Sequence, residues 1–307
     1  MGMCVPTTSV GGVFVQRSDF LRQLYEARRL EDAWREYHRL LAEGPADAEV
    51  HLLGALTARL RPEPDYRQAR RALELAEAAG PCGVSLGKVR LAMGNLLREI
   101  GDNSAAVEYY EAFIDGISEY EALRPVCYGV AHYNLGLTFR CARRYDDALR
   151  AYDTAAREFR QNDFPDYLRQ CLQNAAWLCC LMGRVEPAEA ALTEAENLCT
   201  TPAARWHQRI GWAYLQAVSG EHIGAVNLCE EIVKAEATAP PGVVSHAFWV
   251  AGHVALALGD LGRAGQMADQ AVAWSLKVKD DVRPMQDASA LRREIYQAKL
   301  HRDQTGA

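Results

Sequence analysis

The sequence predicts an all-α solenoid of about seven helix hairpins closed by a C-terminal capping helix. Three observations lead there. Prolines recur every 36 to 44 residues, at Pro45, Pro81, Pro125, Pro165, Pro202, Pro240–Pro241 and Pro284; a proline lacks an N–H, clashes with the preceding turn and so ends a helix. A second set of breaks, Pro62–Pro64, Gly101, Arg143, Gly183, Gly220 and Gly259, divides most of these periods. Glycine just past a helix end takes the left-handed conformation that closes it. Between the breaks apolar residues step by three and four, the spacing of one helix face, and no segment alternates as a strand would.

Taken in order, residues 1–15 carry no Lys or Arg and no sustained apolar run. They read as a flexible arm, not a signal peptide; Gly2 and Cys4 invite acylation, but Pro6 stands where that site needs Ser or Thr. The array then spans 16–282. Its first two hairpins place Ala33 and Ala69 in their second helices, with the Pro62–Pro64 turn inside the second. In the third hairpin, Gly101 precedes a stripe of Ala106, Val107, Tyr110, Phe113, Ile114 and Ile117. In the fourth, Arg143 precedes Tyr145, Ala148, Leu149, Tyr152, Ala155, Ala156 and Phe159. The fifth, sixth and seventh break at Gly183, Gly220 and Gly259 and carry Ala188, Ala225 and Ala264. The connector Ala237–Val243 reads either as a hinge or as an ordinary loop. Residues 283–307 form the cap and tail, with Arg292, Arg293 and Glu294 suited to its solvated face.

Composition sets the broad class. The chain has 307 residues, 49% of them apolar, and a formal net charge of −6. That charge disfavours nucleic acid, which needs a surplus of Lys and Arg on one face. No apolar run is long enough for a membrane span. The nine cysteines include no CxxC pair, as expected of reduced, core-filling thiols in a cytoplasmic protein.

The recurring small residue in each second helix, with Tyr133–Asn134–Leu135–Gly136, Phe139, Tyr145, Ala148, Tyr152 and Ala155 as the clearest unit, resembles the tetratricopeptide repeat. Met93–Gly94, Leu97, Gly101, Ala106 and Tyr110 repeat the pattern, as do Ala251–Gly252, Gly259 and Ala264. Cys179 and Gln216 depart from it, standing where tyrosine is usual. The resemblance covers roughly residues 16–280 and implies a right-handed superhelix that binds protein or peptide on its concave face. The period exceeds the ~34 residues typical of the family. In this the chain resembles the sensor regions of bacterial regulators, among them Gram-positive peptide receptors, although only about fifteen irregular residues precede the repeats where those carry an effector region.

By repeat register, the concave lining takes Lys88, Asn95, Arg98, Tyr133, Asn134, Leu137, Arg140, Gln170, Gln173, Asn174, Trp177, His207, Tyr214, Trp249 and His253. Asn134 and Asn174 share a register position, and an amide offers both donor and acceptor to an extended main chain. Lys88, Arg98 and Arg140 suit a carboxylate; Trp177, Tyr214 and Trp249 suit apolar side chains. Other roles stand beside these. The asparagines equally suit a polar ladder between repeats, the two tryptophans a place in the core, and Arg98 and Arg140 solvated charges or partners of Glu99 and Asp102.

Signatures of catalysis are missing: no HExxH, phosphate loop, dinucleotide fingerprint or nucleophile elbow occurs. The histidines have no zinc-ligand spacing, and the doublets Glu230–Glu231 and Asp280–Asp281 suit solvated or capping roles. No enzyme activity, cofactor or metal is expected. The expected partner is a protein or peptide, bound by a bacterial regulatory sensor. A structural adaptor or homodimer using the convex face or terminal helices is the alternative, and a phosphatase-type regulator of a response-regulator partner comes third.

Overall fold

The structure is a computed structural model that describes residues 17–278 and 283–305. The arm at 1–15, Cys4 and the Asp280–Asp281 doublet lie outside these residues. Fifteen α-helices form seven hairpins and a cap, and no strand occurs among the described residues. The first four hairpins are α1 (Arg17–Glu26) with α2 (Leu30–Ala42), α3 (Ala48–Leu60) with α4 (Tyr66–Ala78), α5 (Gly83–Glu99) with α6 (Asn103–Asp115), and α7 (Gly129–Cys141) with α8 (Tyr145–Gln161). The other three are α9 (Pro165–Leu181) with α10 (Val185–Glu196), α11 (Pro202–Val218) with α12 (His222–Lys234), and α13 (Pro241–Ala257) with α14 (Leu261–Ser275); α15 (Arg283–Thr305) is the cap.

The punctuation acts as expected, with one difference. Pro165, Pro202 and Pro241 are the first residues of α9, α11 and α13. They open the following helix as much as they end the preceding one, because the first helical position has no N–H to bond and wants the φ that proline supplies. Within hairpins, Gly101, Gly183, Gly220 and Gly259 have φ between 68° and 85°, and Arg143 takes the same region at 58° without being glycine. At all five turns the amide three residues past the helix bonds back to close it: Asp102 to Leu97 O (2.9 Å), Arg144 to Phe139 O (2.8 Å), Arg184 to Cys179 O (2.8 Å), Glu221 to Gln216 O (2.8 Å) and Asp260 to Ala255 O (2.9 Å). Side chains of Asp47, Asp65, Asp102, Thr201 and Asp260 cap the N-termini that follow them, each worth about 1 kcal/mol.

Ala33, Ala69, Ala106, Ala148, Ala188, Ala225 and Ala264 are all fully buried or within 1% of it. They let helix axes approach, and large rings fill the space beside them. Tyr110 packs on Gly94 and Tyr152 on Gly136 so closely that a Cβ on either glycine would lie under 3.0 Å from the ring. One segment was not legible as structure. Residues 117–128, between α6 and α7, form a 3-10 stretch (Ile117–Leu123) and a π turn (Arg124–Tyr128). They are anchored by the buried Tyr120, which stacks on Phe113 at 5.6 Å and receives a hydrogen bond from Arg90. The connector before α13 is closed by Thr238 and Ala239 amides bonding Ala235 O.

The cap packs on α14 and α13 as the first helix of an eighth hairpin would. Ala288, Leu291 and Ile295 are buried, and Arg292, Arg293 and Glu294 face solvent. The first helices curl around an inner face, so the start of α15 returns to α7 and α9. Arg140 of α7 binds Asp287, 147 positions later. No helix among the described residues is long and apolar enough to cross a membrane.

Candidate functional site

The inner surface of α7, α9, α11 and α13, with the start of α15, encloses a cavity of about 440 Å³. Seven predicted residues line it: Tyr133, Arg140, Gln170, Gln173, Asn174, Trp177 and His207. They converge because the first helices run parallel and present one register each to the same space. Other lining residues were not anticipated, among them Arg169, one position before Gln170, and Arg283 and Pro284 from the cap. Among the described residues, no Asp or Glu belongs to the lining.

The remaining predicted residues lie elsewhere on the inner face. Lys88 is exposed on α5 and lines none of these cavities. Arg98 and Leu137 border a second cavity of about 840 Å³ near Arg59 and Arg61, where Arg98 lies 3.8 Å from Glu99. His253 and Trp249 border a third, of about 420 Å³, against α15.

The asparagines form links between repeats. Asn134 Nδ2 donates to Asn95 Oδ1 at 2.8 Å, and Tyr110 Oη donates to the same oxygen at 2.8 Å. With Asn134 only 8% exposed, its amide is arranged as the polar ladder requires. Asn174 is half-buried at the cavity wall; its Nδ2 donates to Tyr133 Oη at 3.2 Å and to Gln170 O at 2.8 Å, and its Oδ1 accepts from Arg283 Nη1 at 2.6 Å. A second amide chain runs inward. Arg169 Nη1 donates to Gln173 Oε1 (2.9 Å), Gln173 Nε2 to Gln208 Oε1 (3.0 Å), and Gln208 Nε2 to Leu192 O (2.7 Å).

Arg140 is neither solvated nor paired with Glu99 or Asp102. Its side chain is 7% exposed and meets Asp287 at 2.6 Å, with His246 Nε2 3.2 Å from the same carboxylate oxygen. Burial pushes the Asp287 carboxyl up, but Arg140, His246 and Arg283 outweigh it and hold the group below the usual carboxylate range. The curvature that brings the cap back over α7 supplies this partner, and nothing local in sequence announces it. Beside the pair, Trp177, Tyr214, His246, Trp249 and His253 form a ring cluster with centroids 4.2–5.3 Å apart. Trp177, Tyr214 and Trp249 are buried, and Trp249 Nε1 donates to Asp287 O at 3.0 Å. Their geometry is that of a core closed by α15. Burial pushes His253 down to about 4, against the pull of Asp287.

The described residues include no group of three or more His, Cys, Asp or Glu side chains placed to hold a metal. The cavity combines guanidinium groups, amides and aromatic walls.

The tetratricopeptide repeat family model matches residues 128–201, the fourth and fifth hairpins. No curated protein matches the chain significantly. Among solved structures, a tetratricopeptide repeat protein from Parabacteroides merdae is 15% identical, with TM-score 0.61 over 91% of this chain and 97% of that one. The apo form of RapI is 12% identical, with TM-score 0.63 over 86% and 98%. The pilF protein of Pseudomonas aeruginosa is 16% identical, with TM-score 0.56 over 72% and 92%. At these identities the likeness is one of fold: the chain is a tetratricopeptide-repeat-type solenoid.

Proposed function

We propose that this solenoid is a binding scaffold whose ligand is a short peptide, seated in the cavity between α7, α9, α11 and α13. The observation that carries the reading is the convergence of Tyr133, Gln170, Asn174, Trp177 and His207 on one space of about 440 Å³, within the ~300–1,000 Å³ of small-ligand sites. Gln170 and His207 project polar groups that can pair with main-chain amides, and Tyr133 and Trp177 supply apolar walls for side chains. An adaptor working through a convex patch is less well supported. The exposed large apolar side chains, such as Phe20 on α1, Ile223 on α12, Leu258 and Leu276 just past α13 and α14, and Tyr296 on α15, are spread over separate hairpins and the cap.

Selection of random octapeptides on the full chain tests the reading. Enriched peptides should bind the wild type and lose at least tenfold in affinity to Gln170→Ala/His207→Ala, whose far-UV spectrum and melting midpoint stay unchanged. Peptides whose affinity ignores both substitutions place binding elsewhere and refute the cavity. Failure to enrich any peptide refutes the peptide as ligand class.

A further inference from the structure

The same cavity has an uneven charge. Arg140 is neutralised by Asp287. Arg169 is not comparably matched: among the described residues its ion-pair partner is Asp166, 3.7 Å away and 69% exposed to water, and a pair of that kind contributes little. Yet the Arg169 side chain is only 11% exposed, and its Nε is a buried donor with no acceptor among the described residues. The guanidinium is held from behind by a neutral relay, through Gln173 and Gln208 to Leu192 O. Fixing a buried cation with amides instead of a carboxylate keeps its charge available. Ala203 and Gly242 also reach the lining, so the first turns of α11 and α13 add partial positive charge nearby.

A second donor without an acceptor lies on the same wall. Trp177 is 7% exposed and its indole Nε1 has no hydrogen-bond partner among the described residues. A buried donor without an acceptor is costly, so both atoms favour a ligand that brings acceptors. Both are covered by neighbouring atoms, so an incoming group engages them through a side-chain rotation in the wall. Arg169 and Trp177 are eight residues apart on α9, about 12 Å along the axis at 1.5 Å per residue. An extended peptide covers that distance in three to four residues.

We propose that Arg169 is the anion-binding residue of this site, and that the peptide it takes is acidic, with one carboxylate seated on the Arg169 guanidinium and an uncharged acceptor three to four residues away facing Trp177. The proposal rests on the cavity reading for its peptide, but the anion subsite can be tested alone. A guanidinium fork pairs with a carboxylate or a phosphate through two parallel bonds; a carboxylate is assigned because it is the anion an unmodified peptide itself carries.

The test titrates the full chain with N-acetylglutamate, N-acetylglutamine and inorganic phosphate at constant ionic strength, read by melting midpoint and tryptophan fluorescence. N-acetylglutamate should raise the midpoint of the wild type and of Arg169→Lys, and leave Arg169→Gln unmoved. N-acetylglutamine should bind at least tenfold more weakly. Equal effects of acid and amide, no effect of either, or an undiminished response in Arg169→Gln would each overturn the anion subsite. A larger Arg169-dependent response to phosphate would overturn the choice of carboxylate. If Arg169→Gln has a lowered starting midpoint, Arg169→Lys and the acid-to-amide comparison in wild type still decide. Cavity-bound octapeptides that ignore conversion of their Asp or Glu to Asn or Gln would sink this inference and leave the peptide reading standing.

Discussion

Replacing Asp287 by alanine removes the partner of a guanidinium that is 7% exposed and lies 2.6 Å from it. Breaking a buried pair from one side costs ~3–5 kcal/mol, because the other charge stays buried without compensation. The lower figure applies here. Asp287 is itself 18% exposed, and the Trp249 bond goes to its backbone oxygen, which the substitution leaves in place. A loss of about 3 kcal/mol corresponds to a factor of about 100 in an equilibrium constant. The loss falls mainly on the docking of α15, because each unit of a repeat array is stabilised chiefly by its neighbours. Hydrogen exchange should therefore accelerate in Arg283–Ile295 and in facing parts of α7 and α13, while α3 to α6 keep their protection. The double variant Arg140→Met/Asp287→Leu removes both charges and should recover most of the lost protection. Unchanged exchange in the cap after Asp287→Ala would refute the assignment of Asp287 as its anchor. A double variant as loose as the single one would show that packing, not the unpaired charge, sets the cost.

Acid should weaken the fold in a defined window. Burial pushes His132 and His253 down to about 4, whereas an unfolded histidine titrates near 6.5. Between those values the unfolded chain binds more protons, so stability falls as pH drops from about 6.5 toward 4. Asp287, held below the usual carboxylate range, acts in the same direction at lower pH, its contribution lost as pH falls through its folded value. Urea midpoints at pH 7, 5.5 and 4.5 should fall in order, and less steeply in His253→Asn; a flat series would contradict the burial argument. Two glycines separate packing from helix propensity. Gly136→Ala drives a Cβ to 2.5 Å from the Tyr152 ring and should destabilise by about 1–3 kcal/mol. Gly265→Ala, whose nearest neighbour is Lys299 Nζ at 3.6 Å, should stabilise by up to about 1 kcal/mol. Thermal melts of both read the sign directly, and an equal response would show that ring contact does not control the first site.

The fold was legible because each hairpin repeats its instructions. Proline and glycine positions mark the boundaries, and the small residue of every second helix is buried, from Ala33 to Ala264. Those are local signals with a period. The inner face was legible for the same reason: register alone selected Tyr133, Gln170, Asn174 and Trp177, which do meet at one cavity. Register carries no information about partners across the superhelix. Glu99 and Asp102 were the acids near Arg140 along the repeat pattern, but its partner sits 147 positions away on the cap. Likewise, Arg283 belongs to a segment that sequence assigns to a solvated cap, and it reaches Asn174 only because the array curls back on itself. Arg169 looks like any surface charge next to Gln170 until Gln173 and Gln208 are seen to hold it.

That curl changes what a capping helix does here. A cap on a straight array would only shield the apolar face of α13 and α14 from water. The buried Leu291 does this, with its side chain lodged where a Cβ on Gly252 would lie 2.7 Å away. The same helix also closes one side of the cavity with Arg283 and Pro284, and its Asp287 neutralises Arg140. The array supplies the floor and the cap supplies a wall, so shape and charge of the site depend on how α15 is seated. By linkage, a ligand that binds better when α15 is docked must stabilise that docking to the same extent. Asp287→Ala should therefore weaken peptide binding even though its carboxylate is committed to Arg140, and a saturating peptide should return protection to the cap of the variant. Peptide affinity indifferent to Asp287→Ala, measured by anisotropy alongside the exchange experiment, would show that floor and wall work independently.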